Sequence, residues 1–238
     1  MLTFHRVVDI IERDHDVEWP SFLRLVRSLN PARVTTDLLR APEMGGAIVM
    51  TFDDATSDHA RVGEELASLG LHAVFFVPPR FLDDPGRLTR SDVTRLIAIG
   101  QDVGGHGYSH VEFNRLTVSQ LEEEITRSAT DLATIAGSAP RWFAPPGGRN
   151  HPALIAMLES RGFSANRTMR WGLYRSPEDR WQIPCIPVTE FTLKRGWVGE
   201  ALATSRLPII MRATWTAKQV LPSRMRESLR HVLHGLFR

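Results

Sequence analysis

The chain has little cysteine, little net charge and no long apolar run, and each shortage excludes a class of protein. Cys185 is the one cysteine among 238 residues, so no internal disulfide framework exists and a reducing compartment fits. The formal net charge of +2 gives no reason to expect a nucleic-acid partner. No apolar run reaches the roughly 18 residues that favour a membrane-spanning helix.

The opening residues, MLTFHRVV, do not show the basic stretch and long apolar core of a signal peptide, so we expect a cytoplasmic protein. The chain contains no internal repeat, low-complexity segment or linker. Its 42% apolar content is enough to bury a sizeable core. We therefore expect a single domain over residues 1–238.

Two adjacent carboxylates end an apolar run in the stretch TFDDA, residues 51 to 55. Residues 47–50 before it are typical of a buried strand. Neighbouring side chains on a strand point to opposite faces, so Asp53 and Asp54 can have different roles. Two poorly solvated carboxylates need a cation or hydrogen bonds nearby. A strand that simply runs into a turn is the alternative interpretation of such a pair.

Two histidines four residues apart follow in the stretch GGHGYSHVEF, residues 104 to 113. In a helical turn or tight loop, His106 and His110 can face one point. Joined to one carboxylate, they form a ligand set that leaves positions open, as in a catalytic metal site. A third stretch, RWFAPPGGRN at 141–150, combines proline with glycine, which suits the wall of a substrate groove.

Apolar periodicity alternates between strand and helix along the chain. Strands are predicted at 2–8, 47–50, 71–77, 101–105, 163–168 and 207–212. Helices are predicted at 20–29, 34–39, 57–69, 91–99, 118–136, 151–161, 198–203 and 222–236. This alternation favours a parallel, barrel-like α/β fold.

The end of the chain, about residues 216–238, predicts a basic amphipathic helix that carries Arg224, Arg226 and Arg230. Most helices of this kind pack on the rest of the domain. The alternative is a peripheral contact with an anionic membrane surface.

The three stretches resemble motifs of the polysaccharide deacetylases, the NodB-homology group known as carbohydrate esterase family 4. TFDDA resembles the family's TFDDG motif, HGYSH its His-Ser/Thr-x-x-His motif, and FAPPGG its Arg-x-Pro-x-Gly/Tyr motif. LHAVFFVPP at 71–79 is similar to the family's ATFFV strand, and the resemblance covers residues 46–190. It implies a distorted (β/α) barrel of the NodB type, a divalent metal, usually zinc, and removal of N-acetyl groups from an amino sugar such as N-acetylglucosamine in a glycan or glycan precursor.

The resemblance implies roles residue by residue. Asp54, His106 and His110 become the metal ligands, and Asp53 becomes the catalytic base. With the metal, a backbone N–H near Gly107 or Tyr108 would hold the developing oxyanion. The residues expected to contact an N-acetylated sugar or oligosaccharide are Tyr108, Pro145, Pro146 and Gly147.

The chain departs from the family pattern at two early positions. Ala55 stands where the first motif has glycine. Ala144 stands where the third motif has the arginine that orients the base. Arg141 and Arg149 are the candidates to replace that arginine.

The family's C-terminal Leu-x-His motif, which supplies the general acid, also has no match, because the apolar segment 207–212 lacks histidine. The opening string instead resembles a circularly permuted branch of the family that includes the biofilm poly-N-acetylglucosamine deacetylases. In that branch the histidine motif lies on the first strand. We therefore predict that His5 protonates the leaving amine, for which an imidazole has a suitable pKa.

Two other functions are consistent with the same motifs. One is a metal-dependent amidase that acts on a small amide rather than a glycan. The other is a member of the fold that binds sugar without turnover, because it lacks the general acid and the arginine that orients the base.

Overall fold

Seven short parallel strands close into a barrel in the computed structural model, which describes residues 1–148, 150–204, 206–208 and 211. In barrel order they are β1 (Leu2–Phe4), β4 (Met50–Asp53), β5 (Val74–Val77), β6 (Asp102–Gly105), β7 (Trp142–Phe143), β8 (Ala165–Trp171) and β9 (Ile183–Pro187). β9 pairs with β1 and closes the barrel. The predicted α/β barrel is confirmed.

The remaining strands, β2 (Arg6–Val8) and β3 (Asp16–Glu18), form a separate parallel pair beside the barrel. The helices are α1 (Trp19–Arg27), α2 (Asp58–Ser68), α3 (Arg90–Ala98), α4 (Val118–Ala136), α5 (Leu154–Ser160), α6 (Glu190–Lys194) and α7 (Trp197–Thr204). Among the described helices, none combines the length and the apolar character needed to cross a bilayer.

Alternation along β1, β4 and β5 places an aromatic layer on one face of the strands and Asp53 on the other. Phe4, Phe52 and Phe75 are in register on adjacent strands, and their rings stack at centroid distances of 4.8 and 5.0 Å. They pack in one core cluster with apolar residues of α1 and α2. The residues between them, such as Thr3, Thr51 and Asp53, therefore point to the other side, into the barrel.

Local capping explains why some helices were predicted closely. α4 begins after Thr117, which forms a capping box with Gln120, and ends at Gly137, whose φ is 72°. Its predicted bounds, 118–136, are those observed. α3, predicted at 91–99, begins after Thr89, which forms a capping box with Asp92.

Two predictions about the first forty residues are wrong. The strand predicted at 2–8 bends at His5 and becomes β1 and β2. The helix predicted at 34–39 is absent. There the Asp37 carboxylate accepts the N–H groups of Leu39 and Arg40 at 3.0 and 3.1 Å. Such side-chain bonds compete with helical hydrogen bonding.

The place next to β1 at which a last strand could close the barrel is taken by β9. Of the strand predicted at 207–212 the structure describes Leu207, Pro208 and Met211, and none of them lies in a strand. The predicted helices at 222–236 and about 216–238 lie outside the described residues.

Candidate metal centre

The predicted ligands lie at the carboxyl ends of two barrel strands. Asp54 directly follows β4, and His106 directly follows β6. In parallel barrels this end is where side chains from several strands meet. Asp54 and Ala55 both have left-handed backbone, with φ values of 79° and 51°. The turn thus has the conformation that glycine adopts most readily, and the family has glycine at the second of these positions.

The three predicted ligands are brought together. Asp54 Oδ1 lies 2.9 Å from His110 Nε2 and 3.3 Å from His106 Nε2. All three ligand atoms lie within 4.8 Å of one another. His106 is buried, and its Nδ1 lies 2.7 Å from the carbonyl oxygen of Ala144, which fixes the ring and directs Nε2 to the site. Two imidazoles and a carboxylate fit a divalent ion with open positions, as zinc hydrolases use.

The electrostatics keep the central carboxylate ionised. Burial raises the pKa of Asp54, but hydrogen bonds with His106 and His110 outweigh that effect. The pKa of this carboxyl group therefore lies well below its ordinary range. An ionised Asp54 is ready to bind a cation.

Glu124 of α4 fixes the loop between the two histidines. Its carboxylate accepts the backbone N–H groups of Tyr108 and Ser109 at 2.8 and 2.9 Å. The Tyr108 ring also packs against α4, with the Arg127 guanidinium 3.8 Å from its centroid. Of the two N–H groups expected near an oxyanion, that of Tyr108 is already donated to Glu124, and the role of the one near Gly107 stays a prediction. Contact between Tyr108 and substrate stays a prediction.

Arg167 of β8, and neither of the two arginines that the sequence suggested, pairs with Asp53. Its guanidinium donates to both carboxylate oxygens of Asp53, and both side chains are buried in the barrel. Arg141, one predicted substitute, lies over the Trp142 ring, 4.4 Å from its centroid. Arg149, the other, lies outside the described residues. An arginine in the predicted strand 163–168 was the available signal, since buried charges need partners.

His5, the predicted proton donor, lies beside Asp53. Its Nε2 is 4.0 Å from Asp53 Oδ2, and its side chain is 24% exposed. Burial lowers the pKa of His5, and the carboxylates of Asp53 and Asp54 offset only part of that effect. The imidazole is thus close to the base and still open to solvent.

The segment that contains the prolines and glycines lies next to the candidate metal site. Ala144, which holds His106, is followed by Pro145, Pro146 and Gly147. Gly147 and Gly148 have φ values of 60° and 67°. A Cβ on Gly148 would lie 2.7 Å from the backbone nitrogen of Met169, so only glycine fits so close to β8. The segment therefore lies tightly against β8, and its contact with substrate stays a prediction.

Residues 40–165, more than half of the chain, match the sequence model of the family described as polysaccharide deacetylase. The chain is 26% identical over 127 residues to a chitin deacetylase of Pestalotiopsis sp, an alignment that spans 53% of this chain and 42% of that protein. It is 24% identical over 118 residues to the uncharacterized protein YlxY of Bacillus subtilis (strain 168), spanning 50% of this chain and 34% of that protein. The matched part is thus less than half the length of either relative.

Solved structures share the barrel. The Streptococcus pyogenes deacetylase PplD in complex with acetate superposes with a TM-score of 0.75 at 15% identity, covering 87% of this chain and 97% of that chain. IcaB from Ammonifex degensii superposes with a TM-score of 0.67 at 22% identity, covering 82% and 93%. At these identities the likeness concerns the fold.

Proposed function

Because the chain belongs to the polysaccharide deacetylase family, we propose that it is a metal-dependent hydrolase that removes an N-acetyl group from an amino sugar in a glycan or glycan precursor. The observation that carries the proposal is one cluster at the carboxyl end of the barrel. It combines a ligand set for a divalent ion (Asp54, His106, His110) with the Asp53–Arg167 pair and with His5.

Each residue of the cluster has a separate role in amide hydrolysis. When bound, a divalent ion such as zinc supplies Lewis acidity toward the acyl oxygen and the attacking water. Asp53, oriented by Arg167, takes a proton from the water as its oxygen bonds to the acyl carbon. His5 gives a proton to the sugar nitrogen as the C–N bond breaks, releasing acetate and a free amine. The proton that Asp53 takes must return to His5 to complete the cycle, and the two groups lie 4.0 Å apart.

The buried Arg167 and the position of His5 favour an enzyme over a sugar-binding protein without turnover. That alternative depended on the loss of two groups, the arginine that orients the base and the general acid. Arg167 pairs with Asp53, and an imidazole lies next to it. The single domain over 1–238 and a peripheral membrane contact through its C-terminal helix remain predictions.

The proposal is tested by acetate release from a panel of N-acetylhexosamine oligomers and small acetamides, with chelated protein and with zinc added back. Asp53→Asn should keep the metal, because Asp53 is not a ligand, and should lose a factor of about 100 to 10,000 in turnover. His106→Ala and His110→Ala should lose stoichiometric metal. Turnover of Asp53→Asn within a few-fold of wild type, or zinc retained by both histidine variants, would contradict the assignment.

A further inference from the structure

His59 of α2 makes a hydrogen bond for which the mechanism above has no use. Its Nε2 contacts the backbone carbonyl oxygen of His5. A carbonyl oxygen only accepts, so Nε2 carries the hydrogen. The ring is fully buried and lies edge-on to Phe52 and Phe75, at centroid distances of 5.5 and 5.6 Å.

The other ring nitrogen of His59, Nδ1, is buried and has no hydrogen-bond partner. Leaving such a group unsatisfied costs about 1–3 kcal/mol, which an apolar side chain of similar shape would avoid. Packing alone therefore does not account for a histidine at this position. The hydrogen bond from Nε2 to His5 gives a reason for a histidine here.

Asp58, the preceding residue, holds the same segment from the other side of the bend. Its Oδ2 accepts the backbone N–H of Val7 at 2.7 Å. The two bonds bracket the point where the chain leaves the barrel strand β1 and enters β2. The first turn of α2 thus fixes the backbone around His5.

Side-chain contacts hold the His5 imidazole more loosely. Asp53 lies 4.0 Å away, and the ring of His15 lies at a centroid distance of 5.0 Å. The distance to Asp53 exceeds a direct hydrogen bond, and the contact with His15 is one of ring packing. The backbone at the bend therefore has a large share in deciding where the ring lies.

We propose that Asp58 and His59 are positioning residues that hold the general acid His5 in line with the base Asp53, an inference that rests on the proposed function. Both belong to the unit formed by β4, its turn and α2, which also carries Asp53 and Asp54. One strand–turn–helix unit would then place the base, one metal ligand and the backbone of the acid. Displacing a reacting group by about 1 Å can cost about 100-fold in rate.

A matched pair of variants tests His59. His59→Gln keeps an N–H at the reach of Nε2, and His59→Met has the same length without a donor. Each is assayed on an acetamido-sugar oligomer and on an aryl acetate, whose phenolate departs without a general acid. We expect His59→Met to lose about 100-fold on the amide but only a few-fold on the ester, and His59→Gln to recover most of the amide activity. Metal content and melting temperature are measured for each variant.

His5→Ala separates failure of this inference from failure of the proposed function. If its activity on amide and ester falls equally or not at all, His5 is not the general acid. If His5→Ala loses amide activity selectively but His59→Met affects both substrates alike, His59 has a structural role only and the positioning proposal is overturned. Should His59→Met not fold, Asp58→Leu and Asp58→Asn decide in the same way, because asparagine keeps an acceptor for the Val7 N–H.

Discussion

The Arg167 guanidinium and the Asp53 carboxylate are buried together, so each charge depends on the other for compensation. Removing one partner of such a pair typically costs about 3–5 kcal/mol, because the other charge stays behind without water. We expect Arg167→Met to lower the free energy of unfolding by about that amount, measured by denaturant titration. The double variant Asp53→Asn/Arg167→Met removes both charges and should recover much of the loss.

Arg141 provides the control for that experiment. It is exposed and rests on the Trp142 ring, so Arg141→Met should cost less than about 1 kcal/mol. A loss for Arg167→Met no larger than this, or a double variant as unstable as the single one, would show that the buried pair is not coupled as described.

The backbone conformation of Ala55 has an effect on stability that can be measured. Its φ of 51° is in the left-handed region, and its carbonyl oxygen accepts the Leu88 N–H at 2.8 Å, which holds the turn in place. Left-handed backbone costs a residue with a Cβ about 1–2 kcal/mol. Glycine avoids this cost but loses about 0.5–1 kcal/mol more conformational entropy on folding. We therefore expect Ala55→Gly to raise the free energy of unfolding slightly, by less than about 1 kcal/mol.

The helical residue Ala60 gives the opposite control. Ala60→Gly should destabilise the fold by up to about 1 kcal/mol, because Ala60 lies in the first turn of α2 and glycine loses more conformational entropy there. If both variants lose stability equally, the turn at Ala55 is not strained.

At the residue scale, the sequence predicted the candidate metal ligands but not the pairing of Arg167 with Asp53. His106 and His110 are four residues apart, and Asp54 ends a recognisable strand, so short patterns identify them. Arg167 meets Asp53 across 114 residues of sequence, through the order in which strands enter the barrel. No local pattern contains that information.

At the scale of elements, one buried carboxylate of α6 forms hydrogen bonds with the start of α1 and the residue before it. Glu190 accepts the Glu18 backbone N–H at 3.0 Å and the Ser21 hydroxyl at 2.7 Å. Burial raises the pKa of Glu190, but the hydrogen bonds from Ser21 and Glu18 and the nearby Lys194 outweigh it, so the net pKa is lowered.

The sign of the pH effect follows from this lowered pKa. A carboxyl group whose pKa is lower in the folded state stabilises the fold above its unfolded pKa, and the contribution is lost as the pH falls through the folded value. We expect Glu190→Gln to lose about 1–2 kcal/mol at neutral pH, with the difference from wild type shrinking as the pH falls below the ordinary value of 4.5. Denaturant titrations at several pH values measure it.

Glu200 is exposed in α7, and Glu200→Gln should show no pH-dependent difference of this kind. A constant difference between wild type and Glu190→Gln across the acid range would contradict the role given to the charge.

Elements whose ends are set by local capping residues were predicted. Elements that form only through pairing with distant strands were not. α4 has its capping box and terminal glycine in the local sequence. The sequence did not predict β9, because Pro184 and Pro187 argue against a central strand. In the structure β9 pairs with β1 through the N–H groups of Ile186 and Val188, so the missing N–H of Pro187 is not needed on that side.

At the scale of the whole molecule, the barrel gathers the site from distant parts of the chain. The alternation of strands and helices predicted the fold, and parallel strands predicted a common end for the motifs. Which strand closes the barrel depends on long-range pairing. The sequence therefore predicted a strand at 207–212 and none at β9, which pairs with β1 in the structure.

Because the ligands come from two separate strand ends, a bound ion should stabilise the barrel as a unit. A ligand that binds only the folded state at 100 times its Kd adds about 2.7 kcal/mol to the free energy of unfolding. For a domain of this size that corresponds to a rise in Tm of roughly 5–10 °C. We expect this rise when zinc is returned to chelated protein, measured by scanning calorimetry. His110→Ala should abolish it, while His72→Ala, which changes an exposed histidine outside the cluster, should keep it. An equal rise in His110→Ala would mean that zinc stabilises the chain at some other place.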